Sequence, residues 1–135
     1  MATSPSLALQ KAIHAALTGD AGLAAIVGGR VHDDVPQGTS FPYVVIGDVT
    51  TRDWSTQIQE GHEHIVVIHA WSSQRGRREC QMIIERIDAV LDGASLTLDD
   101  HQLINLRVVF WTALRDLDGA SYHGVVRLRA VTEPV

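Results

Sequence analysis

The chain has 135 residues, of which 45% are hydrophobic and 20% are charged, a composition typical of an ordinary globular protein. This length fits a single domain, residues 1–135, that buries roughly two-thirds of the surface of its unfolded chain. The net charge of −5 argues against a general nucleic-acid binder, which needs a basic surface.

The N-terminal sequence and the cysteine content further limit the class of protein this chain can be. The stretch MATSPSLALQ has no basic segment and no long apolar core, so we expect no signal peptide and synthesis in the cytoplasm. No segment approaches the roughly 18 apolar residues of a membrane helix, and we expect no membrane contact. The single cysteine, Cys80, excludes an internal disulfide, and its apolar neighbours favour burial.

Two helices are predicted in the first part of the chain. Apolar residues recur at helical spacing over 9–17, and Gly19 is placed to end this helix. Asp20 is the expected N-cap of a short second helix that runs to Val27 and ends at Gly28.

The middle of the chain predicts two buried strands. A short strand, RVHDDV (30–35), leads into a loop bounded by Pro36 and Pro42. These prolines fix φ and bias the residues before them towards extended backbone, so the loop sets where the next strand begins. Strong strands follow at 43–51 and 62–71, and both faces of each strand are mainly apolar.

The second half predicts a long helix and two further strands. Ser72 or Ser73 is a natural N-cap for a helix that runs to about Leu91. The apolar face of this helix is formed by Cys80, Ile83, Ile84, Ile87 and Leu91. The two strands after it are expected at 103–111 and 124–131.

The order α-β-β-α-β-β predicts an α+β domain with a mainly antiparallel or mixed sheet of four to five strands. Two main helices are expected to pack on one face of this sheet. Alternation along the last two strands places Arg107, Arg127 and Arg129 on the other face. The buried face of the first of these strands is expected to hold Ile104, Leu106, Val108 and Phe110. Apolar residues left uncovered on the central strands usually mark a partner surface.

Two histidines form the candidate metal site of this sequence. His62 and His64 are two apart on a predicted strand, so they share a face and could chelate a metal. His69 alternates to the opposite face, and no third ligand is evident. We therefore predict no metal and no cofactor, and we keep a small metal- or ligand-binding domain as the less favoured alternative.

Patterns typical of catalysis are weak. DLDG (116–119) begins like a calcium loop but lacks the later ligands, which indicates a turn. Asp118, Ser121 and His123 include the residue types of a catalytic triad without its nucleophile turn or oxyanion pattern. We expect no enzyme and no catalytic residues.

Two groups of arginines are candidate interface residues. RGRRE places Arg75, Arg77 and Arg78 in the first turns of the predicted long helix, where the helix dipole disfavours cations. Either solvent screens these charges, or an acidic surface of a neighbouring subunit pairs with them. The basic face formed by Arg107, Arg127 and Arg129 is expected to pair in the same way.

The connection TRDWSTQIQEG (51–61) exceeds the about two to five residues of a tight hairpin loop. It is polar except for Trp54 and Ile58. Large apolar residues on a protruding loop commonly anchor in a partner's pocket, and tryptophan is the most enriched type. The alternative is that Trp54 folds back over the edge of the sheet. We favour an arm that contacts a partner.

Several segments together resemble the family of small phage tail-completion proteins. These are LTGDAGLAAIVGGRVHDDVPQGTSFPYVVIGD, GHEHIVVIHAWS and the closing HGVVRLRA. Their order over nearly the whole chain is most similar to family members of gene transfer agents and siphophages, and to the lambda-type tail terminator. The family has no catalytic residues to carry over.

The resemblance implies a structural protein of virion assembly. Family members form a ring, usually sixfold, on the head-proximal end of the tail tube. The ring stops tube polymerisation, meets the head-side connector and leaves a channel through which DNA passes. The implied partners are further copies of the chain, the tail tube protein and the head-side stopper. The alternative within the same particle is another connector, either a head–tail stopper or a tube protein.

Overall fold

The computed structural model describes residues 3–73 and 77–135. The described elements, in chain order, are α1 (Pro5–Thr18), α2 (Ala21–Val27), β1 (Val31–His32), β2 (Tyr43–Asp53), β3 (His62–Ser72), α3 (Arg78–Leu91), β4 (His101–Arg115) and β5 (Tyr122–Pro134). This order confirms the predicted α+β class. Among the described helices, none is long and apolar enough to cross a membrane.

The five strands form one mixed sheet in the order β1-β2-β3-β5-β4. β1 is parallel to β2, and every other neighbouring pair is antiparallel. The even-numbered residues of β3 and β5 are buried, apart from the half-buried His62, Tyr122 and Pro134. α3 packs against this face at Gly124, and α1 lies beside Ile46 on the same face. We call it the helix face, and the opposite side of the sheet the outer face.

Local capping explains where the first two helices begin and end. The Ser4 hydroxyl accepts a hydrogen bond from the Leu7 amide at 3.2 Å, which caps α1. The Asp20 carboxylate accepts from the Leu23 amide at 2.8 Å and thereby caps α2, as predicted. Gly28 ends α2 with φ at 61°, a backbone conformation that favours glycine.

The predicted start of the long helix was wrong. Ser72 belongs to β3, where it pairs with Tyr122, and α3 begins only at Arg78. Strand pairing with β5 therefore overrides the capping tendency of Ser72, whose hydroxyl donates to Glu79 Oε1 at 2.6 Å. Arg77 occupies the N-cap position and makes no side-chain capping bond.

The predicted alternation along β4 holds for residues 105–108 but was wrong for Ile104 and Phe110. The β4·β5 ladder shifts register between Leu103 and Asn105 and again between Val108 and Phe110. Each bulge adds a residue to one strand, which exchanges the faces of all the residues beyond it. Leu106 is buried, whereas Ile104 and Phe110 are exposed.

Close packing joins α3 to the centre of the sheet. A Cβ atom on Gly124 would lie 2.9 Å from Cys80 Sγ and 2.9 Å from Ile84 Cδ1. The missing side chain lets the helix approach the strand, and Cys80 is buried there, as its apolar neighbours indicated. An ion pair between Asp20 and Arg86, 2.8 Å long, ties the start of α2 to α3.

Candidate interaction surface

The outer face combines partly buried apolar side chains with charged ones. The apolar members on the central strands are Tyr43, Val45, Ile65, Val67, Trp71, Val125 and Val131. In this face Glu63 lies near one end of β3 and His69 lies towards the other. A surface of this composition is suited to recognition by another macromolecule.

One buried carboxylate organises the end of the outer face. Glu63 is 7% exposed and accepts hydrogen bonds from Arg52 Nε at 2.5 Å and from Arg129 Nε at 2.6 Å. The bond from Arg52 and then that from Arg129 hold the pKa of Glu63 below its usual range. The Trp54 ring lies against both guanidinium groups, 5.0 Å from Arg52 Cζ and 5.4 Å from Arg129 Cζ. We call Arg52, Trp54, Glu63 and Arg129 the Glu63 cluster.

The arm is residues 54–61, because β2 continues to Asp53 and β3 begins at His62. Its base is closed by a hydrogen bond from the Trp54 amide to the Gly61 carbonyl at 2.9 Å. Trp54 does fold back onto the sheet, yet it remains 47% exposed, and Ile58 at the tip is 95% exposed. The geometry therefore leaves the arm available for contact, and its role in an interface stays a prediction.

The three arginines of the basic face lie on the outer face, as alternation predicted, but they have different surroundings. Arg129 belongs to the Glu63 cluster, and Arg107 Nε lies 2.9 Å from Asp92 Oδ1. Arg127 Cζ lies 5.0 Å from the centre of the Phe110 ring. Within the described residues no carboxylate is within ion-pairing distance of Arg127. Pairing with a neighbouring subunit is therefore a sharper expectation for Arg127 than for the other two.

Two members of the second arginine group, Arg77 and Arg78, lie at the start of α3. Arg77 and Arg78 are both exposed, and Arg77 Cζ lies 5.7 Å from the centre of the Tyr122 ring. Arg75 lies outside the described residues. Their pairing with another subunit stays a prediction.

The two histidines considered for metal binding do share the helix face, but both ring nitrogens of His64 already form hydrogen bonds. His64 is fully buried, and its Nδ1 and Nε2 are hydrogen-bonded to Thr51 Oγ1 at 2.8 Å and to Thr132 Oγ1 at 2.9 Å. Burial lowers the pKa of His64 to about 4. Binding a metal would break one of these bonds, so the geometry favours a structural role for His64.

The residue types of a triad do not form a triad arrangement. The Ser121 hydroxyl donates directly to Asp118, whose carboxylate also accepts from the Ala120 amide at 2.8 Å, and this closes the predicted turn. His123 Nε2 instead lies 2.7 Å from His69 Nδ1, and its ring stacks on Trp71 with centres 4.0 Å apart. Burial lowers the pKa of both histidines.

The sequence reasoning missed a group of exposed apolar residues along β4, which we call the β4 row. Its members are Ile104, Val109, Phe110, Trp111 and Leu114, each 43–58% exposed. They lie on both faces of the strand, since Phe110 pairs with Arg127 on the outer face and Trp111 pairs with the buried Val126. Beside the β4 row, a groove of about 280 Å³ separates α3 from β4 and is lined by Ile84, Trp111 and Ala113 together with polar residues of α3. The signal was the run VVFW, which is apolar on both faces of a strand next to the arginine-bearing β5.

Comparison with known proteins places this fold in a defined class. The structure matches a chain described as part of the virion of a native gene transfer agent particle, with a TM-score of 0.89 and 29% sequence identity. The match covers 97% of this chain and 99% of that chain. The fold is therefore that of a class of proteins represented in the virion of a gene transfer agent.

The sequence comparisons identify the family. The family model described as tail completion protein gp17 matches residues 11–133, and the chain belongs to that family. A curated relative, the tail completion protein gp17 of Bacillus phage SPP1, is 28% identical over 89 residues. That alignment spans 66% of this chain and 66% of the relative.

Proposed function

We propose that the chain is a structural tail-completion protein that caps the head-proximal end of a tail tube and joins it to the head-side connector. The observation that carries this proposal is the structural match to a gene transfer agent virion chain over 97% of the present chain. Membership in the tail completion family supports the same assignment. The mature protein would act as part of a virion or a gene transfer agent particle, at the junction of head and tail.

The proposed working form is a closed ring, with six copies as the expected number. A ring subunit needs contacts with two neighbouring copies and with the partners above and below it. The outer face, the arm and the arginines at the start of α3 supply surfaces for these contacts. We propose Trp54, Ile58, Arg75, Arg77, Arg78, Arg107, Arg127 and Arg129 as interface residues.

The partners of the ring are the tail tube protein on one side and the head-side stopper on the other. DNA passes through the central channel without being bound for storage or reading. The net charge of −5 is compatible with this role, because binding DNA by counterion release needs clustered cations. The contribution of the protein is contact and geometry, with no catalytic step.

The test is to mix the purified protein with tail tube subunits and to measure tube lengths by electron microscopy. We expect tubes that stop growing, each with a single ring of this protein at one end. A variant with Ala89→Asp, at an exposed position of α3, is a matched surface control that should still cap. If the protein instead stacks on itself into long filaments, it is a tube protein and the capping proposal fails. Tubes of unchanged length with no ring at either end would also refute it.

A further inference from the structure

The edge of the sheet at β4 is covered over only half of its length. Residues 92–97 already bond to the part of β4 up to Val108, for example through the Gly93 amide and the Leu106 carbonyl at 2.8 Å. Beyond this cover, in the described part of the chain, no strand lies beside residues 109–115 on the side that faces away from β5. We call this stretch the free β4 edge.

The backbone of the free β4 edge has polar groups directed away from the sheet. The Asp116 amide donates to the Ser121 carbonyl at 2.8 Å, and the register between β4 and β5 is regular over 110–115. Inter-strand bonds alternate along an antiparallel ladder, so the N–H and C=O groups of Trp111 and Ala113 point away from β5. Among the described hydrogen bonds, none outside the ladder uses these groups. They are available to bond to an added strand.

A groove beside the free β4 edge can receive the side chains of such a strand. It has a volume of about 280 Å³ and is lined by Ile84 of α3 and by Trp111 and Ala113 of β4. Trp111 remains 58% exposed, although its partner in β5 is the buried Val126. Side chains alternate between the two faces of a strand, so every second residue of an added strand would enter the groove. An exposed tryptophan beside an apolar groove is typical of a surface that a partner covers.

The charge of the groove selects the side chains that it accepts. Glu85 and Asp88 of α3 also line it, and among the described residues no cation lies within ion-pairing distance of either carboxylate. Both carboxylates would repel an entering anion. A lysine or arginine side chain would instead pair with them and can also contact the Trp111 ring. The groove therefore suits a segment that carries cationic and apolar side chains on one face.

We propose that the free β4 edge takes up an extended segment of a partner protein as a sixth strand of the sheet, with cationic and apolar side chains of that segment in the groove. Backbone bonds to Trp111 and Ala113 supply the affinity, and Glu85 and Asp88 supply the preference for cations. This inference goes beyond the proposed function, because it assigns a binding site for a peptide segment and requires neither a ring nor capping.

Two synthetic peptides test the site by NMR titration of the full-length, isotope-labelled protein. Both have about nine residues, enough to span the free β4 edge, and both are acetylated and amidated. In the first peptide, threonine occupies every second position, and valine and lysine occupy the positions between. In the second peptide, glutamate replaces each lysine. The two peptides therefore differ only in the charge that they would present to the groove.

We expect the lysine peptide to shift the backbone amide signals of Trp111 and Ala113 and to bind at least ~10-fold more tightly than the glutamate peptide at low salt. No shift of these signals at millimolar concentrations of the lysine peptide would overturn the proposal. Equal affinity of the two peptides would overturn it as well. Shifts of the same signals with protein concentration, in the absence of peptide, would show that the occupant is a second copy of the chain and would overturn the assignment to a partner protein.

A reversal of charge in the groove provides an independent measurement. The double variant Glu85→Lys, Asp88→Lys should bind the glutamate peptide more tightly than the lysine peptide, because the wall of the groove becomes cationic. Ala89→Lys is the matched control, since Ala89 is exposed on α3 but does not line the groove, and this variant should keep the preference for the lysine peptide. A reversed preference in Ala89→Lys would mean that net charge decides the binding, and would contradict the assigned site.

Ala113→Pro tests the strand pairing itself. The substitution removes an N–H group that points away from β5, and proline is tolerated in an edge strand where the N–H group faces solvent. We expect the variant to remain folded and to lose at least ~10-fold in affinity for the lysine peptide. Unchanged affinity would show that the peptide lies in the groove without pairing with β4, and would overturn the added strand. A failure of these peptide tests would leave the capping test unaffected, because tube length is measured without any peptide.

Discussion

The guanidinium carbon of Arg129 lies 5.4 Å from the centre of the Trp54 ring, so the first residue of the arm is held against a strand that is distant in sequence. Glu63 fixes Arg129 in this position through a hydrogen bond of 2.6 Å. The base of the arm is therefore attached to the sheet, whereas its tip at Ile58 is almost fully exposed. Substitutions at Trp54, in the attached base, and at Ile58, in the exposed tip, should therefore have different consequences.

Trp54→Ala and Ile58→Ala should both reduce tube capping but should differ in their effect on stability. Trp54→Ala removes contacts with two guanidinium groups and should lower the free energy of unfolding by about 1 kcal/mol. Ile58→Ala should leave the unfolding free energy within about 0.5 kcal/mol of the parent, because its side chain is exposed. Urea denaturation and tube-length measurements on both variants check this. A decrease of about 3–5 kcal/mol in the unfolding free energy of Trp54→Ala, as is typical when a core aromatic residue is truncated, would contradict the arm hypothesis.

Stability should fall as the pH is lowered from 7 towards 4. Burial lowers the pKa of His64 to about 4, whereas an unfolded histidine has a pKa near 6.5. The unfolded chain therefore binds a proton more readily than the folded chain in this pH range. The stabilisation is complete above pH ~6.5 and is lost as pH falls through the pKa of the folded protein. His69 and His123 act in the same direction, since burial lowers their pKa as well.

His64 alone should lower the free energy of unfolding by about 3 kcal/mol as the pH falls from its unfolded pKa to its folded pKa. Urea denaturation at several pH values between 7 and 4.5 measures this pH dependence. His64→Gln removes the titrating group and should flatten this dependence without abolishing it. An unchanged pH slope in His64→Gln would mean that His64 does not titrate differently in the folded and unfolded chains.

Gly124→Ala should destabilise the protein by about 1–3 kcal/mol through overpacking. The added methyl group would meet Cys80 Sγ and Ile84 Cδ1 at 2.9 Å. Gly61→Ala is the matched control, because its nearest atom beyond its neighbours, the Thr132 carbonyl oxygen, is 3.4 Å away. The double variant Cys80→Ala, Gly124→Ala should lose less stability than the sum of the single variants, because the two changes share one space. Strict additivity in thermal or urea unfolding would count against this account of the helix–sheet contact.

Features that depend on neighbouring residues could be predicted from the sequence. The spacing of Leu9, Ile13 and Leu17 defines one face of α1, and the Asp20 carboxylate caps α2 through a bond within its first turn. These features need no information about the rest of the chain. The class and the placement of the helices on one face followed from such local patterns.

Features that depend on strand pairing could not be predicted in this way. Ser72 is a favourable N-cap by type, but its pairing with Tyr122 keeps it in β3. The two bulges of β4 arise from its register with β5, and simple alternation therefore misplaced Phe110. The exposure of the β4 row follows from its edge position, because the same VVFW run would be buried in a central strand. The contact of Trp54 with Arg129 joins distant parts of the chain, so spacing alone could not distinguish the arm from a folded-back residue.

The isolated protein is expected to be monomeric or weakly associated and to close its ring on the tube. The hydrophobicity of the chain is modest and charged residues are spread over its surface, unlike the large hydrophobic interface of an obligate oligomer. Binding to a tube end would hold neighbouring copies at high effective concentration and complete the ring. Sedimentation velocity over a range of concentrations checks this. A stable hexamer at low micromolar concentration, without tube subunits, would contradict it.

Charge reversal should distinguish Arg127, which we expect to pair with another subunit, from Arg129, which stabilises the fold. Arg127→Glu should leave thermal stability nearly unchanged, because Arg127 is exposed and its described contact is the Phe110 ring. It should nevertheless weaken ring assembly, and more strongly at low salt, where screening of charges is least. Arg129→Glu, by contrast, should lower the melting temperature, since it places a second carboxylate beside the buried Glu63. The pair can be compared by thermal unfolding and by the fraction of capped tubes at two ionic strengths. Assembly that is insensitive to Arg127→Glu at both ionic strengths would show that this arginine is simply solvated.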